Sequence, residues 1–205
     1  EAFSFDVPSL SVLTVGNRAT TGSASVTVHG SSFGHHGYTQ AVRVGDTACE
    51  ATDWTSDTTV ICKVSSGVRG TRRVLMTVGV RAGTVTEAFS FDVPSLSVLT
   101  VGNRLATGSA SVTVHGSSFG HHIYTQAGRV GDTACEATDW TADSAVVCKV
   151  SSGVRGTRRV LVTVGVRSGT VTEAFSFDVP SLSVLTRGNR LATGSASVTV
   201  HGSSF

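Results

Sequence analysis

The sequence predicts an all-β protein made of tandem β-sandwiches, about seven strands each, and three observations carry that prediction. The string EAFSFDVPSLSVLT begins at Glu1, Glu87 and Glu173, a spacing of 87 minus 1, or 86 residues, both times. Short runs alternate apolar and polar residues, as strands with one dry face do. Clusters of Gly, Asn, Asp and Ser divide these runs, and no segment offers a helical face. The 205 residues are 40% hydrophobic and 15% charged, which suits a packed core and excludes a disordered chain.

A repeat of 86 residues is long enough to be a whole domain and too long for a helix-pair or ankyrin-type unit. Units 1–86 and 87–172 differ at ten positions, among them Ala19/Leu105, Gly37/Ile123, Val42/Gly128 and Met76/Val162. Along the first unit the alternation begins with Phe3, Phe5 and Val7 around Ser4 and Asp6. It returns at Ala24, Val26 and Val28, at Val60, Cys62 and Val64, and at Val74, Met76, Val78 and Val80. Val15-Gly16-Asn17-Arg18, Gly30-Ser31-Ser32, Gly45-Asp46-Thr47 and Ser65-Ser66-Gly67 are the expected turns between them.

Cys49 and Cys62 lie in one unit and Cys135 and Cys148 at the same offsets in the next. One disulfide inside each unit, in an oxidising compartment, is the expectation. Closing a loop of this length contributes roughly 3 kcal/mol in the chain-entropy treatment. Buried free thiols are the alternative, and a zinc site lacks the short CxxC knuckle.

The order Pro8-Ser-Leu, Thr21-Gly-Ser-Ala-Ser-Val-Thr-Val-His-Gly-Ser-Ser-Phe-Gly34, Val42-Arg-Val-Gly45 with Cys49, Trp54-Thr-Ser-Asp-Thr-Thr-Val-Ile-Cys62 and Phe89-Ser-Phe-Asp-Val93 resembles the IPT/TIG domain. That is the immunoglobulin-like module of plexins, certain transcription factors and many secreted or surface proteins. The resemblance implies tandem immunoglobulin-like β-sandwiches and sets their phase. Complete domains are expected at 8–93 and 94–179, the last strand of a preceding domain at 1–7, and the first strands of a following one at 180–205. The chain then reads as a window on a longer array. At the junctions, Asp92-Val93-Pro94 and Asp178-Val179-Pro180 leave no Gly/Ser linker, and each proline holds the residue before it extended. Successive domains are expected to meet at a restrained angle.

The remaining candidates are weaker. His35-His36 and His121-His122 raise a metal hypothesis, but adjacent side chains on extended backbone point to opposite faces. Asp46, Glu50, Asp53 and Asp57 lack calcium-loop spacing, and a solvated rim is expected. Arg69, Arg72 and Arg73, repeated as Arg155, Arg158 and Arg159, form the densest basic patch, a candidate polar contact for glycan or phosphate, with salt bridges or a solvated turn favoured. Trp54 and Trp140 are expected to pack near the disulfides.

No GxSxG elbow, HExxH or phosphate loop is present, and neither an enzymatic activity nor a cofactor is expected. Residues 8–93 hold seven basic and six acidic side chains, so nucleic acid is not an expected partner. No stretch approaches the length of a membrane span, so no membrane insertion of this segment is expected. The leading expectation is a structural protein: an extracellular or cell-surface array forming or supporting a filament, appendage or matrix, with neighbouring repeats and lateral copies of itself as partners. The alternative is a stalk or binding module of a surface receptor or adhesin that recognises glycan or protein.

Overall fold

The computed structural model describes residues 4–68, 70–154, 156–186, 192, 194 and 197–205. The first unit runs β1 (Ser9–Thr14), β2 (Asn17–Arg18), β3 (Ser25–Ser31), β4 (Gln40–Val44), β5 (Thr47–Ala48), β6 (Ala51–Ser56), β7 (Thr59–Lys63), β8 (Arg72–Val78) and β9 (Arg81–Phe91). These form a four-stranded sheet in the order β1-β3-β7-β6 and a five-stranded sheet in the order β2-β9-β8-β4-β5. Their pairing is antiparallel except for the short parallel contact of Asn17 and Arg18 with Ser90 and Phe91.

The second unit repeats this as β10 (Ser95–Thr100), β11 (Asn103–Arg104), β12 (Ser111–Ser117), β13 (Gln126–Val130), β14 (Thr133–Ala134), β15 (Ala137–Ala142), β16 (Ala145–Lys149), β17 (Thr157–Val164) and β18 (Arg167–Phe177). Its sheets are β10-β12-β16-β15 and β11-β18-β17-β13-β14. Beyond it, β19 (Ser181–Thr186) pairs with β20 (Thr199–Ser203) in the register of β1 with β3. The described residues contain no helix.

The alternation puts the core between the sheets. Val26, Val28, Val60 and Cys62 face Val42, Val44, Val74, Met76, Phe89 and Phe91, all buried. Phe89 and Phe91 meet edge to face with centroids 5.0 Å apart, an arrangement favoured by the ring quadrupoles. Cys49 is joined to Cys62 and Cys135 to Cys148, each with Cα atoms 5.7 Å apart. Each bond ties the connection between the two sheets to the strand at the centre of the first.

Three details differ from the sequence reading. The seven longer strands of each unit are accompanied by two strands of two residues, β2 and β5 in the first, too short to leave an alternation pattern. Val80 is not in a strand. It sits with Gly79 in the two-residue turn of the β8–β9 hairpin, fully exposed, and Gly79 has φ 60°, the geometry that matches strand twist. Residues 4–7, expected with 1–3 to form a closing strand, lie outside any strand. Their counterparts Ser90 and Phe91 pair with Asn17 and Arg18 of β2. Residues 1–3 lie outside the described residues.

Candidate functional site

The part of the chain where the two units touch is built from loops at opposite ends of each sandwich. On the first unit, the connection from β7 to β8 is pinned from both sides: Ser65 Oγ donates to Ala48 O at 2.8 Å, and the Gly67 amide donates to Thr20 O at 3.1 Å. This anchoring leaves Val68 projecting as an apolar knob from a polar turn. On the second unit, the loop after β12, the β15–β16 turn and the β17–β18 hairpin form a socket around it. Val68 packs against the second unit's core cluster.

The walls of the socket are glycines. Gly120 and Gly165 have φ of 73° and 61°, in the left-handed region that only glycine occupies at little cost. A Cβ on Gly120 would stand 3.1 Å from Val68 Cγ1, and one on Gly165 2.9 Å from Val68 Cγ2. Any larger residue would therefore occupy the space that the valine fills.

Three hydrogen bonds surround this apolar contact. The Tyr124 hydroxyl donates to Ser66 Oγ at 3.1 Å, Thr20 Oγ1 donates to Asp143 Oδ1 at 3.1 Å, and Arg167 donates from Nη1 to Phe91 O at 2.7 Å. Thr20 is fully buried. The Asp143 carboxylate is aimed by its own loop, since Oδ1 also accepts from the Gly120 amide at 2.7 Å. A buried hydroxyl is tolerated because it is bonded.

The expected junction residues contribute differently. Asp92 is tied to its own unit: its amide donates to Arg18 O at 2.9 Å, and its carboxylate accepts from Asn17 Nδ2. Asp178 repeats this with Arg104 and Asn103. Pro94 is buried, Pro180 is exposed, and Val93 and Val179 are exposed. These residues define where the chain passes from unit to unit, while side-chain contacts across the joint come from Thr20, Ser66, Val68, Tyr124, Asp143 and Arg167. One sequence signal could have found the knob: Val68 and Val154 are the apolar residues in the otherwise polar SSGVRG turns.

The arginine patch is not gathered into a site. Arg73 pairs with Asp46 at 3.4 Å and Arg159 with Asp132 at 3.1 Å, all four side chains well exposed, so both pairs are weak. Arg158 donates to Val154 O at 3.1 Å, and Arg72 lines a groove of about 300 Å³ beside Cys49. Arg69 and Arg155 lie outside the described residues. The acidic side chains are dispersed too: Glu50 pairs with Lys63 at 3.2 Å, and Asp57 accepts from the Gly34 amide at 2.8 Å. Among the described residues no three His, Cys, Asp or Glu come together as metal ligands. The histidine pairs instead border the tryptophans, His35 and His36 with ring centroids 6.1 and 6.2 Å from Trp54. Trp54 Nε1 donates to Gly34 O at 3.1 Å, and the side chain packs on the core.

No curated protein sequence matches the chain. Among solved structures, it is similar to the plexin A4 extracellular region (16% identity, 83% of this chain and 18% of that one, TM-score 0.42). It is similar also to the surface glycan-binding protein PbSGBP-B from Prevotella bryantii (13% identity, 82% and 42%, TM-score 0.49) and to the adhesin InvE from Yersinia pseudotuberculosis (11% identity, 84% and 59%, TM-score 0.43). The chain spans less than two thirds of each of these, and similarity at this level carries no argument about function. The model of the IPT/TIG domain family matches residues 10–93 and again 98–179. With two such matches over two sandwiches of one topology, the chain belongs to the IPT/TIG family as a tandem pair of domains.

Proposed function

We propose that this chain is part of an extracellular stalk, without enzymatic activity, that holds a glycan- or protein-recognising part of a surface protein away from its base. The observation that carries this reading is the joint itself. Val68 seated between Gly120 and Gly165, with hydrogen bonds from Thr20, Tyr124 and Arg167 around it, couples one sandwich to the next. A chain of freely hinged beads needs no such contact. The intradomain disulfides fit the same reading, since they persist in oxidising compartments.

Nitrogen-15 relaxation of the chain tests it. The two units should tumble as one elongated body, and Val68→Asp should make them tumble separately while each stays folded. Independent tumbling of the unmodified units would overturn the stalk reading.

A second reading, lateral assembly into a filament or matrix, draws on the edge strands β1 and β10. Val12 and Val98 are 57% and 56% exposed there, at the same register position. Unpaired, apolar edges are templates for association. Sedimentation velocity across concentration checks it: association that disappears in a Val12→Lys, Val98→Lys variant supports lateral contacts, and a monomer at all concentrations removes them.

A further inference from the structure

The socket that receives Val68 exists twice, once filled and once open. On the first unit, Gly34, Tyr38, Asp57, Val78, Gly79 and Arg81 stand where Gly120, Tyr124, Asp143, Val164, Gly165 and Arg167 stand on the second. They line a cavity of about 680 Å³. The filled copy shows what closure does to the same residues. Val164 and Ser118 are buried on the second unit, whereas Val78 and Ser32 are only half-buried on the first. Tyr124 is half-buried with its hydroxyl on Ser66, whereas Tyr38 is 56% exposed. At the other end of the chain, Val154, the second unit's copy of the knob, is 64% exposed.

We propose that the cavity of the first unit is a docking socket for the Ser-Gly-Val turn of another copy of this repeat, placed ahead of Glu1. The backbone already has the required shape: Gly34 and Gly79 have φ of 76° and 60°, against 73° and 61° for Gly120 and Gly165. The Tyr38 hydroxyl is also in place as the donor for a serine Oγ, and Arg81 stands where Arg167 binds Phe91 O, the counterpart of Phe5 O in this chain. Asp57 is already oriented by the Gly34 amide at 2.8 Å, as Asp143 is by Gly120. The two glycines, the tyrosine hydroxyl and the carboxylate that hold the knob in the second unit thus recur around this cavity, which Phe5 and Asp6 also line.

The two knobs are not equivalent. Thr20, which donates to Asp143, is replaced by Ala106 in the second unit and by Ala192 in the third segment. A unit carrying Thr at this position therefore makes one more hydrogen bond to its successor than a unit carrying Ala. The inference rests on the same joint as the stalk reading: independent tumbling of the two units overturns both, whereas a Tyr38 signal that ignores an added unit overturns this inference alone.

The test is to lengthen the chain by one copy of residues 1–86 fused before Glu1, with the tyrosine of the added copy replaced by Phe, and to label it with fluorotyrosine. The original chain has two tyrosines, Tyr38 and Tyr124, so two fluorine-19 signals report on the open and the filled socket. The signal of Tyr38 should move to the position of Tyr124 when the unit is added. Changing the knob valine of the added unit to Asp should return it to its position in the 205-residue chain. A Tyr38 signal that stays put although the added unit is folded, as judged by its circular dichroism and its intact disulfide, overturns the proposal. So does a shift that persists with the Asp knob. A Tyr38 signal that ignores the added unit and moves with xylogluco-oligosaccharide assigns the socket to a sugar and overturns it as well.

Discussion

Thr20 and Val68 contribute to the joint by different physics. Thr20 supplies one buried hydrogen bond to Asp143, a contribution of about 1 kcal/mol net of water. Thr20→Ala, the substitution that the second unit already carries, should therefore loosen the joint by about that amount and leave the stability of each sandwich unchanged. Residual dipolar couplings, which report the angle between units, check it by a wider spread of orientations. Val68 supplies the apolar contact, and a carboxylate in its place would be taken out of water without a partner. In Val68→Asp, Tyr124 should be nitrated as fast as Tyr38. In the unmodified chain Tyr38 should react first, because Tyr124 lies half-buried beside Ser66.

At the scale of the strand, the two units differ where β4 faces β8. Val42 is the register partner of Met76, and in the second unit Gly128 is the partner of Val162. Both changes remove volume from the same spot. The Cys135 sulfur has taken up part of it, for a Cβ on Gly128 would lie 2.8 Å from Sγ. Introducing the second unit's residue into the first by Val42→Gly should cost about 3 kcal/mol, from lost burial, an incompletely filled gap and the freedom of glycine in the unfolded strand. Met76→Val should cost about 1 kcal/mol. Urea denaturation followed by hydrogen exchange, which resolves the units, measures both. The Cys49–Cys62 bond gives an internal comparison: Cys49→Ala with Cys62→Ala should destabilise the first unit by about 3 kcal/mol and leave the exchange of the second unit's core amides unaltered.

For the whole molecule, the legible part of the fold was large because it is local. Alternation at Val26/Val28, Val60/Cys62 and Val74/Met76 directly reports a strand with one face inward, and those side chains are the core. The errors lay where pattern and partner diverge. Val80 continues the alternation of β8 yet sits at a hairpin tip, because the turn and not the alternation ends the strand. Phe5 repeats Phe91, yet residues 4–7 lie outside any strand. The candidate site was less legible. The Asp92-Val93-Pro94 junction marks where the chain crosses, but Thr20, Tyr124 and Asp143 are more than a hundred residues apart at the extremes, and nothing in their local sequence announces the contact.

The sequence by itself determined the repeat, the alternation of a two-layer sandwich and the placing of two cysteines in each unit, while the phase of the domains came from the resemblance to the IPT/TIG family. The first three follow from periodicity and identical offsets, which are properties of neighbours along the chain. Only the tertiary structure decided that a valine in a polar turn is a knob, that two left-handed glycines are its socket, and that Arg73, Arg158 and Arg159 bond within their own unit. Those facts depend on which loops the fold brings face to face, and a contact between residues separated by a whole sandwich leaves no period for a sequence to show.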